Sequence, residues 1–261
     1  MHNPRGDSMR QRLTPHPGRL HTGTFIKINS VHVVEVLGGT PMQFAVVDAE
    51  HAAFDRRDID LMVLAARAVD LPLLVRVPDM SAPAVQGALD LGAAGLLVPH
   101  VDSAAQAREL VARSRCRTGV RGFSNATRAA GQGALPMAQA LAATEDVFLL
   151  AQIESVTAVE AVADIAAVDG IDGLFVGRAD LALSFGETDT RSAPVLAATR
   201  RVLDVALAAG KIAGMAVGTR SERDEFAAWG ANWFVVGSDQ SLLRQAASAA
   251  AQDARALRMP D

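Results

Sequence analysis

The chain has 261 residues, half of them hydrophobic, with 25 basic against 29 acidic side chains and a net charge of −4. That apolar fraction excludes a disordered chain. No apolar run nears the roughly 18 residues that cross a bilayer, and the acidic balance with nine Phe, two Trp and no Tyr excludes a broad nucleic-acid surface.

In chain order, residues 1–20 come first. They hold Pro4, Pro15, Pro17 and four arginines with no signal-peptide core, and are expected to form a flexible arm ahead of one domain over 21–261; an Arg-rich targeting peptide is the alternative. Strand-length apolar runs then recur at 24–28, 44–48, 73–77, 95–99, 147–153, 173–177, 212–217 and 233–237. Most are continuous, as in parallel strands covered on both faces. Helical patterns separate them. Ser81 with Pro83 opens one, Asp102 or Ser103 a second, and Ser155 a third. Residues 195–207 and about 241–257 carry two more. Eight strands alternating with helices predict an α/β fold, a (β/α)₈ TIM barrel. An open doubly wound sheet is the runner-up, weakened because no early strand leads into GxGxxG. Cys116, the single cysteine, allows no internal disulfide and fits a reducing, cytoplasmic setting.

In such a barrel the chemistry gathers where strands end. The run at 44–48 leads through Asp48 to Glu50 and His51. Arg76 sits inside LLVRVP, Gln152 and Glu154 end LLAQIE, and Arg178 with Asp180 follow the run at 173–177. A lone polar residue at a strand end is more often a helix cap or a solvated group; several on one rim are not so easily dismissed. A guanidinium within an apolar strand requires an anionic partner. Glu154 and Asp180 are the oxygen donors that a hard divalent cation takes, with water and substrate completing its shell. Asp90, in a helix ending ALDLG, reads by itself as a surface carboxylate. His32 and His100 have no evident partner, and Trp229 and Trp233 read as packing residues.

One ordered set of segments carries a resemblance: FAVVDAEH (44–51), LVRVP (74–78), LDLGAAGLLVP (89–99), GVRG (119–122), AQIE (151–154), VGRADL (176–181), KIAG (211–214) and VGSD (236–239). Together, over roughly residues 20–245, they resemble the HpcH/HpaI aldolases, metal-dependent class II pyruvate aldolases acting on 4-hydroxy-2-oxo acids. The resemblance implies a TIM barrel with its last helix exchanged between subunits, in a homo-oligomer, usually a hexamer. It implies Mg²⁺, Mn²⁺ or Co²⁺ on Glu154 and Asp180, His51 as base, and Arg76 at the enolate oxygen. It further implies that Gln152, Gly177, Ala179 and Asp180 hold the pyruvate part, that Asp90 raises the basicity of the histidine, and that Asp48 organises the DxEH motif. The partners it implies are pyruvate and an aldehyde, with neither nucleic acid nor membrane. Two departures stand out: Arg178 and Ala53 occupy positions where relatives often carry proline. Arg178 is expected beside the metal carboxylate, weakening the metal or binding a distal anion.

The residue types suit that chemistry. A permanent cation can stabilise a developing enolate, and a histidine can take a hydroxyl proton near neutrality. Lys27 and Lys211 are not at the ends of central strands, which disfavours a Schiff-base aldolase. Alternatives are a citrate lyase or malyl-CoA lyase type carbon–carbon lyase on the same barrel, a non-catalytic barrel subunit, and a phosphate-binding isomerase suggested by VGSD.

Overall fold

The computed structural model describes residues 8–256. Its strands are β1 (His21–Ile26), β2 (Phe44–Asp48), β3 (Leu73–Arg76), β4 (Gly95–Val98), β5 (Phe148–Ile153), β6 (Gly173–Val176), β7 (Ile212–Val217) and β8 (Trp233–Ser238). They form a closed barrel in chain order, every neighbouring pair parallel, with β8 returning to β1. The predicted (β/α)₈ barrel is the fold. All eight expected runs are strands, and the first starts three residues early because His21 already pairs with Trp233.

The helices are α1 (Met9–Leu13), α2 (Val31–Gly38), α3 (Arg56–Ala68), α4 (Ala82–Asp90), α5 (Ala104–Ser114), α6 (Met137–Glu145), α7 (Val156–Glu160), α8 (Val162–Ala166), α9 (Arg178–Ser184), α10 (Ala193–Ala208), α11 (Arg220–Ala228) and α12 (Asp239–Ala256). Ser81, Ser103 and Ser155 cap α4, α5 and α7 through their hydroxyls, as their positions before apolar stripes suggest. Between Ser103 and Asp102 the cap falls to Ser103. The helical pattern after Ser155 divides into α7 and α8 at Ala161.

A period of two lies hidden inside the continuous apolar runs. Phe44, Phe148, Phe175 and Trp233 point inward and pack together with Leu74, Leu97 and Val235. Trp233 stacks on Phe44 at 3.8 Å between ring centroids. Gly23 makes room for this layer, since a Cβ there would lie 2.3 Å from the Phe44 ring. The alternate residues, such as Val75, Leu96, Leu149 and Leu174, face outward against the helices. The aromatics fill the N-terminal end of the barrel. At the C-terminal end the same inward positions become Asp48, Arg76, Gln152 and Glu154.

Residues 8–20 depart from the arm expected over 1–20. Ser8 and Gln11 form a capping box for α1. Leu13 is fully buried in the aromatic layer, a contribution of about 2 kcal/mol. Arg10 pairs with Asp172 at 2.9 Å and Arg12 with Asp70 at 3.0 Å. Pro15 lies just past the helix C-cap at Thr14, a common place for proline. Residues 1–7 of that expectation lie outside the described residues.

Candidate active site

Strand register places the first pair. Asp48 is aligned with Arg76 across β2 and β3. The Arg76 Nε donates to Asp48 Oδ1 at 2.9 Å and Nη2 to Oδ2 at 2.7 Å, a bidentate pair. Arg76 is 7% exposed and Asp48 wholly buried, so the guanidinium has the anionic partner its position demands. Lys27 Nζ lies 2.9 Å from Asp48 Oδ2. The His51 backbone N–H donates to Asp48 Oδ1 at 3.1 Å, which anchors the turn carrying the histidine. Burial alone would raise the Asp48 carboxyl, but the Lys27 hydrogen bond and the Arg76 charge outweigh it and hold it below its ordinary value.

Glu50 continues the network. Its carboxylate lies 3.2 Å from Arg76 Nη1, 3.8 Å from His51 Nε2 and 3.7 Å from His100 Nε2. Burial pushes its carboxyl up, against the opposing charge of Arg76. The His51 ring is half exposed at the rim. Arg76 also lies over the Phe25 ring, 4.9 Å from its centroid, a cation–π contact.

Glu154 stands opposite. Its side chain is 1% exposed. One oxygen accepts the His100 backbone N–H at 2.8 Å and the other accepts the Gln152 side-chain amide. Among the described residues no lysine or arginine pairs with it; its ion-pair contact is His100 Nδ1 at 3.2 Å. A buried carboxylate without a strong cationic partner is costly. Gly177 packs closely against it, because a Cβ there would lie 2.7 Å from a Glu154 carboxylate oxygen and 3.2 Å from the Gln152 amide nitrogen, so only glycine lets both side chains occupy this position. Asp180, partly buried, and Ala179, exposed, follow in the first turn of α9, where the helix dipole favours negative charge. This donor set, with a buried carboxylate lacking a lysine or arginine counter-ion among the described residues, fits a divalent cation. Among the described residues, no three His, Cys, Asp or Glu side chains are gathered into a complete cation site by themselves, so water and substrate oxygens would supply the remaining positions.

The structure brings together Asp48, His51, Arg76, Gln152, Glu154, Gly177, Ala179 and Asp180 along the C-terminal rim. It does not bring Asp90 there. Asp90 ends α4 near the opposite end of the barrel, where the Ala94 N–H bonds the Leu73 carbonyl at the start of β3. Its carboxylate pairs with Arg121 at 2.7 Å and accepts from Gln86 at 3.3 Å. Within its own chain Asp90 therefore does not tune His51. Arg178 also differs from its expected place. Its side chain pairs with Glu222 at 2.9 Å, donates to the Ala216 carbonyl and lies over the Phe226 ring at 4.7 Å, so its charge is neutralised between α9 and α11 rather than set against the carboxylates.

Three rim residues escaped the sequence reading. Lys27 directly follows β1, whereas it was expected within that strand. Its amine is engaged with Asp48, and such an ammonium is a poor Schiff-base nucleophile. Glu50 lies inside the DAEH stretch but was given no role. His100 follows β4 in LLVPH, and the strand-end rule applied to β4 would have found it.

These features define a TIM barrel with a rim of buried ion pairs and carboxylates at the C-terminal ends of its strands. Residues 21–246 match the HpcH/HpaI aldolase/citrate lyase family, and the chain belongs to it. It is 32% identical over 237 residues to the 2-keto-3-deoxy-L-rhamnonate aldolase of Escherichia coli K12, covering 88% of this chain and 86% of the relative. It is 35% identical over 216 residues to the 5-keto-4-deoxy-D-glucarate aldolase of Klebsiella pneumoniae, covering 81% and 83%. Among solved structures, an HpcH/HpaI aldolase/citrate lyase family protein from Burkholderia cenocepacia J2315 superposes with a TM-score of 0.89 at 32% identity, over 95% of this chain and 98% of that one.

Proposed function

We propose that the chain is a class II, divalent-cation-dependent aldolase that reversibly cleaves a 4-hydroxy-2-oxo acid of the 2-keto-3-deoxy type to pyruvate and an aldehyde. The observation that carries this reading is Glu154, a buried carboxylate with no lysine or arginine partner among the described residues, on the same rim as Arg76 and His51. The aldolase relatives support it.

A divalent cation held by Glu154 and Asp180 (Mg²⁺, Mn²⁺ or Co²⁺) supplies Lewis-acid polarisation of the pyruvate carbonyl when bound. The protein's own groups do the rest. A guanidinium has five N–H donors. Asp48 takes two of those of Arg76 and Glu50 lies against Nη1 as an ion pair, which leaves N–H groups for the enolate oxygen, already oriented by the buried pair. His51, exposed at the rim, takes the C4 hydroxyl proton in cleavage and returns it in addition. Asp48 fixes the His51 turn through the backbone N–H. Gln152, Gly177, Ala179 and Asp180 form the wall against the pyruvate part.

No helix among the described residues is long and apolar enough to cross a membrane, and the reading places the enzyme in the cytoplasm. Helix α12 projects Leu243 63% exposed. An apolar residue so placed on a long helix calls for a partner, and we assign that role to a second copy of the chain, in a hexamer.

The test is a lactate-dehydrogenase-coupled screen of 2-keto-3-deoxy acids with each cation. Pyruvate release abolished by chelation and restored by a divalent cation is expected. Undiminished release in EDTA, or trapping of substrate by borohydride, would overturn the reading.

A further inference from the structure

The end of the barrel opposite the rim carries a polar cleft of about 890 Å³, within the size range of small-molecule sites. One wall is the segment that returns from α1 to β1. The other is formed by the loops that lead into β2 and β3, at Gly38, Gln43, Val69 and Pro72. Strand β1 runs from this cleft at His21 toward the rim at Lys27, so the two ends stand about 20 Å apart along a strand that rises ~3.3 Å per residue.

The returning segment contains a stiff turn. The Arg19 N–H donates to the His16 carbonyl at 3.0 Å, with Pro17 at the second position and Gly18, at φ of +73°, at the third. This is the pattern of a type II turn, in which proline sets the first corner and glycine supplies the positive φ. The ends of such a turn lie within about 7 Å, so His16 and Arg19 are held together on one wall of the cleft. Asp70 is the acidic residue that lines the cleft among the described residues. It is taken up by Arg12, which pairs with its carboxylate at 3.0 Å and donates to its carbonyl at 2.7 Å. The charge of Arg19 is left over, with His16 beside it.

His21 borders the same cleft and is 8% exposed. Its ring donates to the Arg12 backbone and lies parallel to Phe44. Nε2 is buried without a hydrogen-bond partner among the described residues. Burial keeps the ring neutral near pH 7, so this nitrogen is a lone pair that accepts and does not donate. A buried acceptor left unmet costs free energy that a donor would recover. The cleft thus asks two things of an occupant, a negative charge for Arg19 and an O–H for His21. A simple carboxylate has only the first and a neutral polyol only the second.

We propose that this cleft is a second ligand site, taking a small hydroxy acid whose carboxylate lies against Arg19 and His16 while a hydroxyl donates to Nε2 of His21. The test is calorimetric titration of the full chain with D-gluconate in EDTA at pH 7. Saturable binding at millimolar concentration is expected, and Glu154→Gln is expected to bind as the parent does. Arg19→Gln changes an exposed residue, and His21→Phe keeps the stack on Phe44 while removing the acceptor. Arg19→Gln should weaken D-gluconate about tenfold or more, the loss of a charged hydrogen bond, and His21→Phe about threefold to tenfold, the loss of a neutral one. Two matched probes separate the contacts. Hexanoate, the same chain without hydroxyls, should be weakened by Arg19→Gln and not by His21→Phe. D-glucitol, the same chain without the charge, should bind more weakly than D-gluconate and be indifferent to Arg19→Gln.

Absence of saturable D-gluconate binding, or binding that Arg19→Gln and His21→Phe both retain at parental strength, would overturn the site. Loss of binding in Glu154→Gln would overturn it as well, by assigning the heat to the rim. Inorganic phosphate bound more tightly than D-gluconate would overturn the hydroxy-acid assignment.

Discussion

Replacing Arg76 by lysine tests the central electrostatic assignment while leaving the charge in place. Arg76→Ala is less informative. It would leave the buried Asp48 with Lys27 alone and Glu50 without its arginine, and breaking a buried pair costs about 3–5 kcal/mol, a large part of the 5–15 kcal/mol that holds a typical domain together. Lysine keeps a cation at β3 but cannot reproduce the fork to both Asp48 oxygens and the third contact to Glu50. Loss of one such charged hydrogen bond destabilises by about 1.5–3 kcal/mol, so the variant remains folded. The ammonium, drawn to Asp48, has no oriented donors left for the enolate oxygen. Removal of a preorganised donor of this kind lowers turnover by about 10²–10³. Two assays read it: pyruvate release from a 2-keto-3-deoxy acid, and exchange of pyruvate methyl protons with deuterium followed by NMR, which needs only the enolate. Both are expected to fall together, with KM for pyruvate less affected. Exchange within threefold of the parent, in a variant with a lowered melting temperature, would confine Arg76 to holding Asp48 and refute its place at the enolate.

His51→Ala should lower aldol cleavage by roughly 10²–10⁴ while oxaloacetate decarboxylation, which has no hydroxyl proton to remove, falls far less; equal loss of both would end the assignment of His51 as that base. His21, buried at the floor of the barrel and stacked on Phe44, has its pKa lowered to about 4 by burial, with an opposing hydrogen bond to the Arg12 backbone. The unfolded chain then takes up a proton below its ordinary pKa of about 6.5 that the folded chain refuses until about pH 4, so stability falls across that window by up to about 2–3 kcal/mol. His21→Phe should flatten the difference in denaturant midpoint between pH 7 and pH 4.5, and an unchanged slope would show that His21 titrates freely in the fold. Light scattering at micromolar concentration should give a hexamer, and Leu243→Glu a smaller species; a monomeric parent would count against α12 as a contact surface.

The barrel was legible because its signal is local and repeated. Eight apolar runs of strand length separated by capped helices admit few other arrangements. The rim was legible where a polar residue interrupts the inward-facing alternation, as at Asp48, Arg76, Gln152 and Glu154. What escaped the sequence depended on contacts far away in the chain. Leu13 becomes a plug only because Phe44, Phe148 and Trp233 leave a hollow beneath it. Ser8 and Gln11 did offer a capping signal, but the neighbouring prolines concealed it. Arg178 was placed correctly along the chain and wrongly in space. A long side chain follows its best partners, and Glu222 and Phe226 lie more than forty residues on. Asp90 was drawn from resemblance alone, whereas the helical path from Ser81 carries it to the other end of the barrel.

Charge balance around the rim shows why its separate residues act as one site. Lys27 and Arg76 stand against Asp48 and Glu50 in a connected set of ion pairs, and the two pairs cancel. Glu154 and Asp180 have no lysine or arginine partner among the described residues; Asp239, just after β8, has none either, its oxygens accepting the Lys27 and Ile28 backbone N–H groups instead. At the β5–β6 side this leaves a surplus of negative charge, almost wholly buried in Glu154. It lies on the Glu154 side rather than beside Arg76, so a cation is drawn there while the N–H groups of the guanidinium that Asp48 does not take remain available to an oxyanion. A substrate bearing a 2-oxo carboxylate meets both, and its hydroxyl-bearing carbon extends toward His51 at the exposed edge. Reversing the sign at a single balanced position, as in Lys27→Glu, would spread the surplus across the rim and set the cation competing for two places.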